Sequence, residues 1–203
     1  MEITAAVAAV LGAFGLSGAA GLNAWLPLLA VGVGDRMGWI DLGSSYGWLS
    51  STPVLIGIAV VFVLDLIGDK IPAIDSVVHG IGVLVAPASG AILFAAETSL
   101  SSNLPPAVAA VLGAITAGSV HAGRTAARPF VTGTTAGVGN PVVSTAEDGT
   151  SLALTILALA VPVVAFIAVV LLLIGLGWLA VRAGRWLRRG RGRERPGPGG
   201  ERR

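Results

Sequence analysis

Ionisable side chains are scarce in this chain, and most fall inside or beside long apolar runs, so each one needs a physical reason. Of 203 residues only 12% are charged and 54% are hydrophobic, against roughly 25% charged in soluble domains. Asp65 lies within an apolar run, and Asp69 and Lys70 follow it in GDKIPAID. Asp75 and His79 stand four apart, which places them on one face of a helix. His121 and Arg124 lie within a turn of each other, and Glu147 and Asp148 are adjacent. Charged groups in a bilayer are costly, so they pair, face a cavity or serve transport. Histidine titrates near neutral pH, so the mixed set Asp65, Asp75, His79, His121, Arg124, Glu147 and Asp148 suits proton relay or cation binding. In this reading Asp65, Asp75 and Asp148 exchange cations or protons, Arg124 balances them or meets an anionic group, and His79 or His121 titrates. Asp69, Lys70 and Arg128 read as interfacial charges that orient the helices.

Other chemistries are poorly supplied. Cysteine is absent and only two histidines occur, His79 and His121. Thiol nucleophiles and disulfides are thus excluded, and a zinc site would need carboxylates to complete it. Gly15-Leu16-Ser17-Gly18 has the GxSG form of an intramembrane serine protease. A serine nucleophile also needs a positioned base and oxyanion donors, and the glycines around Ser17 fit close helix packing instead. TTAGVGN is not the TVGYG of a potassium filter, and no nucleotide fingerprint is present. No catalytic residue, metal or cofactor is expected.

The elements that must position these charges are apolar segments at about 3–33, 53–68, 73–97, 105–127 and 141–184. Leu152 to Val181 has no ionisable side chain in thirty residues, more than the roughly 20 needed to cross a hydrocarbon core. The last segment would reach about 65 Å as one helix at about 1.5 Å per residue. Pro162, which lacks an N–H, divides it. The fold expected is therefore all-α, with about six transmembrane helices in a domain over 1–185. The first apolar run is longer than a signal-peptide core and lacks a basic start, so it reads as a retained helix.

Charge asymmetry sets the expected orientation. From Arg182 onward there are nine arginines and two glutamates, in a Gly- and Pro-rich stretch that reads as a disordered tail over 186–203. Basic residues beside a span mark the cytoplasmic side and can touch anionic lipid. With six spans both termini are expected in the cytoplasm, and Lys70, Arg124 and Arg128 fall on the same side. Nucleic acid is not an expected partner, and a homo-oligomer is compatible with the small-residue faces.

The chain also repeats itself. AVAAVLGA occurs at 6–13 and 107–114, AGLNAWLP at 20–27 aligns with AGRTAARP at 122–129, and GVGD at 32–35 aligns with GVGN at 137–140. Two related three-helix halves, about 5–100 and 106–185, follow from these matches. With three crossings each, the second half would be inverted relative to the first, a mark of secondary transporters. Pro27 and Pro129, with Gly137, Gly139 and the polar Asn23, are then expected at paired helix breaks that frame a solute path; the competing reading of each proline is a kink followed by an ordinary loop.

AGLNAWLPLLAVGVGDRMG, DKIPAIDSVVH, and NPVVSTAED with its Ala146-Glu147-Asp148 triplet resemble a bacterial integral membrane family, domain of unknown function 4126. The resemblance covers nearly the whole chain apart from the tail. It implies a bacterial inner-membrane location and supplies no catalytic residue. The leading expectation is a small secondary transporter or ion- or proton-conducting protein, with a polar site between the halves. The rivals are a membrane scaffold or assembly protein and a lipid-handling protein.

Overall fold

The computed structural model describes the backbone of residues 2–68 and 72–191, with side-chain positions for 3–68, 81–182, 184 and 185. Among the described residues every regular element is a helix. In order come α1 (Glu2–Leu22), α2 (Trp25–Arg36), α3 (Gly43–Tyr46), a 3-10 turn (Gly47–Ser50), α4 (Thr52–Gly68), α5 (Pro72–Thr98), α6 (Pro106–Thr135), α7 (Asn140–Ala160) and α8 (Pro162–Arg191). A helix satisfies its own backbone donors and acceptors, which lipid cannot do for it. Five helices are long and apolar enough to cross a membrane, and a sixth span arises if the short elements at Gly43–Ser50 are joined to α4 across a 56° bend. The division of the last apolar segment falls where the sequence puts it: α7 ends at Ala160 and α8 begins at Pro162.

Small residues fill much of the interior beside Leu16, Leu93 and Phe94, and many large apolar ones lie on the outside. Ala13, Ala19, Ala20, Ala117 and Ala165 have no exposed surface, whereas Leu171 and Ile174 on α8 are more than 60% exposed. Lipid does not drive apolar side chains inward, so close backbone approach and dispersion hold such helices together. The tightest approach joins α5 to α6: a Cβ on Gly90 would stand 2.6 Å from the Gly113 carbonyl oxygen. Ser17 in α1 donates to the Gly90 carbonyl at 3.0 Å, so this serine of the GxSG sequence serves the same junction.

Contacts along α1 set the helix directions. Gly15 meets Ala165 and Gly18 meets Val169, so α1 and α8 run the same way. The N-terminus of α1 and the C-terminus of α8 therefore lie at opposite ends of the bundle, which corrects the expectation that both termini share a side. The reason is α2. After the break at Asn23 the chain turns back, and Gly43 reaches Leu100 beyond the end of α5. Helices α1 and α2 thus form a hairpin that enters and leaves by one end, rather than one span over 3–33. At twelve residues, α2 is about 18 Å long, too short to cross alone.

The repeat does not produce the inverted arrangement. Gly21 of α1 lies on Ala117 and Val120 of α6, and Arg124 one turn further reaches the Leu22 carbonyl. The helices carrying the two AVAAVLGA copies are therefore parallel neighbours, whereas a two-fold in the membrane plane would make them antiparallel. The copies also differ at their ends. The first stops at Leu22, while the second continues through Pro129 inside an uninterrupted α6.

Candidate functional site

The site forms where α1 stops. A helix end leaves its last carbonyls without intrahelical donors, and polar side chains meet them here. Ser151 on α7 donates to the Ala19 carbonyl at 3.0 Å, and Arg124 on α6 donates to the Leu22 carbonyl. A cation beside a helix C-terminus also meets the negative end of its dipole.

Asn23 then starts the next helix. Its Oδ1 accepts from the Trp25 and Leu26 backbone N–H groups at 3.0 and 3.1 Å. Such capping by a side-chain oxygen is worth about 1 kcal/mol. Its Nδ2 donates to Asp148 Oδ1 on α7 at 2.8 Å, and the residue is only 4% exposed. One carboxamide thereby ends α1, begins α2 and fixes α7. Pro27 sits in the first turn of α2, where its missing N–H has no intrahelical role. The break is therefore Asn23's work, not the proline's.

A cluster of charges supports this corner. Glu147 Oε2 accepts from Arg124 Nη1 at 3.1 Å and from Arg128 Nη2 at 2.9 Å. All three side chains are less than 15% exposed. Arginines four apart on α6 share one face, so a single carboxylate on α7 answers both. Adjacent residues on α7 diverge around the helix, which is why Glu147 faces α6 while Asp148 faces Asn23.

Beside the cluster lies a cavity of about 370 Å³ whose lining includes Asn23, Asp65, His121 and Arg124. Its remaining wall is apolar, with Val61 and Leu64 from α4 and Ile81 and Val85 from α5. His121 is 4% exposed and is wedged against α5, since a Cβ on Gly82 would stand 2.6 Å from its Cε1. The cavity lies level with the middle of α6, and a carboxylate, an imidazole, a guanidinium and a carboxamide line it together. Such a set can exchange a proton between carboxylate and imidazole, or hold a small solute with a charged end.

The candidate residues read from the sequence divide clearly. Asn23, Asp65, His121 and Arg124 come together at the cavity, with Glu147 and Asp148 directly behind them. Asp75 and His79 lie on α5, but their side chains, like all of Asp69 and Lys70, fall outside the described residues, as does the tail after Arg191. Pro129 breaks no helix. Gly137 and Gly139 build the tight α6–α7 turn rather than a break along a path. Ala136 and Gly137 take positive φ of 52° and 85°, a conformation suited to a helix C-terminus, and Gly139 N–H donates to Thr135 Oγ1 at 3.1 Å. Arg128, read as interfacial, belongs to the buried ion pair. Ser151 went unnoticed because a serine among apolar residues carries no distinctive pattern.

Apolar helices of spanning length around a partly charged interior define a multi-pass α-helical membrane protein. Residues 10–182 match the family described as Domain of unknown function (DUF4126), and the chain belongs to that family. The match takes in every residue of the cavity and its supporting ion pairs. No curated protein and no solved structure matches the chain.

Proposed function

We propose that this protein is a small transporter or proton-conducting protein of the bacterial plasma membrane, working through the cavity at the tip of the α1–α2 hairpin. The observation that carries this reading is the helix break at Asn23, inside the bundle and beside Asp65, His121 and Arg124. Broken helices at mid-depth are tolerated where they line a cavity, and they recur at transport sites. Asp65 is the group that takes up and releases protons or cations, and His121 is its titrating neighbour. Arg124 is held by Glu147 and the end of α1, so it sets the local field and does not travel with the solute. The reading assigns no enzymatic role and no bound cofactor. The end where α8 finishes, with Arg182, faces the cytoplasm by the positive-inside rule, which puts the N-terminus outside.

Reconstituted protein in liposomes, with an internal pH dye and an imposed proton gradient, tests this. The wild type should dissipate the gradient faster than protein-free vesicles. Asp65→Asn should slow that rate by roughly tenfold or more, equivalent to at least about 1.4 kcal/mol of barrier. Equal rates for wild type, variant and empty vesicles would remove the proton reading. One further observation favours a lipid-handling role as the second reading. Leu64 and Ile81 line the cavity yet are 60% and 54% exposed on the bundle surface, so the cavity borders the acyl chains. A phospholipid retained by the wild type and lost on Arg124 substitution would shift the assignment that way.

A further inference from the structure

A further ionisable group lies away from the cavity. Glu97 is in the last turn of α5 and partly buried. Its carboxyl reaches the middle of α1, where a Cβ on Gly12 would stand 3.3 Å from Glu97 Oε1 and 3.1 Å from the carbonyl oxygen of Ala158 on α7. Glycine at position 12 leaves a space that this carboxyl and that carbonyl both border. The Ala158 carbonyl has no helical donor, because the residue four further on is Pro162 and the Val161 N–H donates to Leu157 instead. A hydrogen-bond acceptor buried without a donor is unfavourable.

Among the described residues no cation is paired with Glu97. Along α1 from Ile3 to Leu22, α6 from Pro106 to Val120, α7 from Gly149 to Ala160 and α8 from Pro162 to Val181 there is no ionisable residue. The end of α2 and the segment after it bring Asp35, Arg36, Asp41 and Tyr46 to this end of the bundle; Arg36 is engaged with Ser50 and Thr52. Glu97 and Ala158 both lie near helix C-termini, whose partial negative charge opposes a carboxylate.

We propose that Glu97 is a proton-binding site, its neutral carboxyl donating a hydrogen bond to the Ala158 carbonyl that Pro162 leaves without a donor. This site stands apart from the cavity at Asn23 and does not depend on what that cavity carries. A hydrophobic carbodiimide tests it in the full-length protein. A protonated carboxyl adds across the C=N bond, its proton passing to nitrogen and its oxygen to the central carbon, and the O-acylisourea rearranges to a stable N-acylurea. Peptide mass spectrometry should find this adduct on Glu97 at neutral pH, with less in alkaline buffer and none in Glu97→Gln. A carboxyl C=O infrared band present in wild type and lost in Glu97→Gln should accompany it, and Gly12→Ala should shift that band by crowding the carboxyl. Absence of both adduct and band at neutral pH would overturn the proposal. Suppression of labelling by sodium at fixed pH would also overturn it, by replacing the proton with a metal cation.

Discussion

Glu147→Ala is expected to destabilise the folded protein by about 3–5 kcal/mol, the range for removing one partner of a buried ion pair. Two guanidinium groups would lose their shared carboxylate at once, and both are nearly enclosed. Arg124 would keep the Leu22 carbonyl, but a carbonyl dipole does not neutralise a full charge. Arg128 would lose the ion pair that ties it to α7. The effect should spread beyond α7, because Arg124 also closes the end of α1 and lines the cavity. Thermal unfolding in detergent measures it, and Glu147→Asp should recover part of the loss if charge rather than bulk is what matters. A Glu147→Ala protein as stable as wild type would mean that the arginines find other partners or water.

Gly113→Ala should cost about 3 kcal/mol, at the upper end for overpacking, although it adds a single methyl group. The reciprocal approach shows why. A Cβ on Gly90 would already stand 2.6 Å from the Gly113 carbonyl, and a Cβ on Gly113 would meet the Gly90 carbonyl and the Cβ of Phe94. Backbone cannot rotate away as a flexible side chain can, so α5 and α6 must separate. Separation would also draw Gly90 from Ser17 on α1. A lipid-facing control such as Gly57 on α4, with nothing near its Cβ, should tolerate the same change with a shift of about 0.5 kcal/mol or less. Equal melting temperatures for the two variants would contradict the packing account.

The all-helical, multi-pass character was legible because bilayer thickness imposes long apolar runs that composition alone exposes. Pro162 was legible for a similar reason: the run around it is too long to be one helix. The division at Asn23 was not, because a proline four residues later is the more obvious breaker. At Pro27 the ring fits a helix start, whereas at Pro129 surrounding contacts carry α6 straight through. The repeated AVAAVLGA was real as a string but silent on direction, which only Gly15 against Ala165 and Gly21 against Val120 reveal. Within the site, Asp65, His121 and Arg124 stood out as charges in apolar runs, and the fold brings them to one cavity. Their supports were harder to see. Arg128 resembled an interfacial anchor, and nothing in the sequence marks Ser151 or Glu97 until Ala19 and Gly12 are seen packed against them.

In the proposed function the α1–α2 hairpin ends inside the bundle at a cavity that a small solute enters. The absence of native cysteine allows single probes to test it directly. Ala24→Cys and Val85→Cys both place a thiol on the cavity lining, whereas Ala13→Cys places one in the packed interior, where Ala13 has no exposed surface. In sealed vesicles, a small membrane-impermeant thiol reagent should modify positions 24 and 85 and leave position 13 unreacted. Failure to modify 24 and 85 from either side of the membrane would contradict the account.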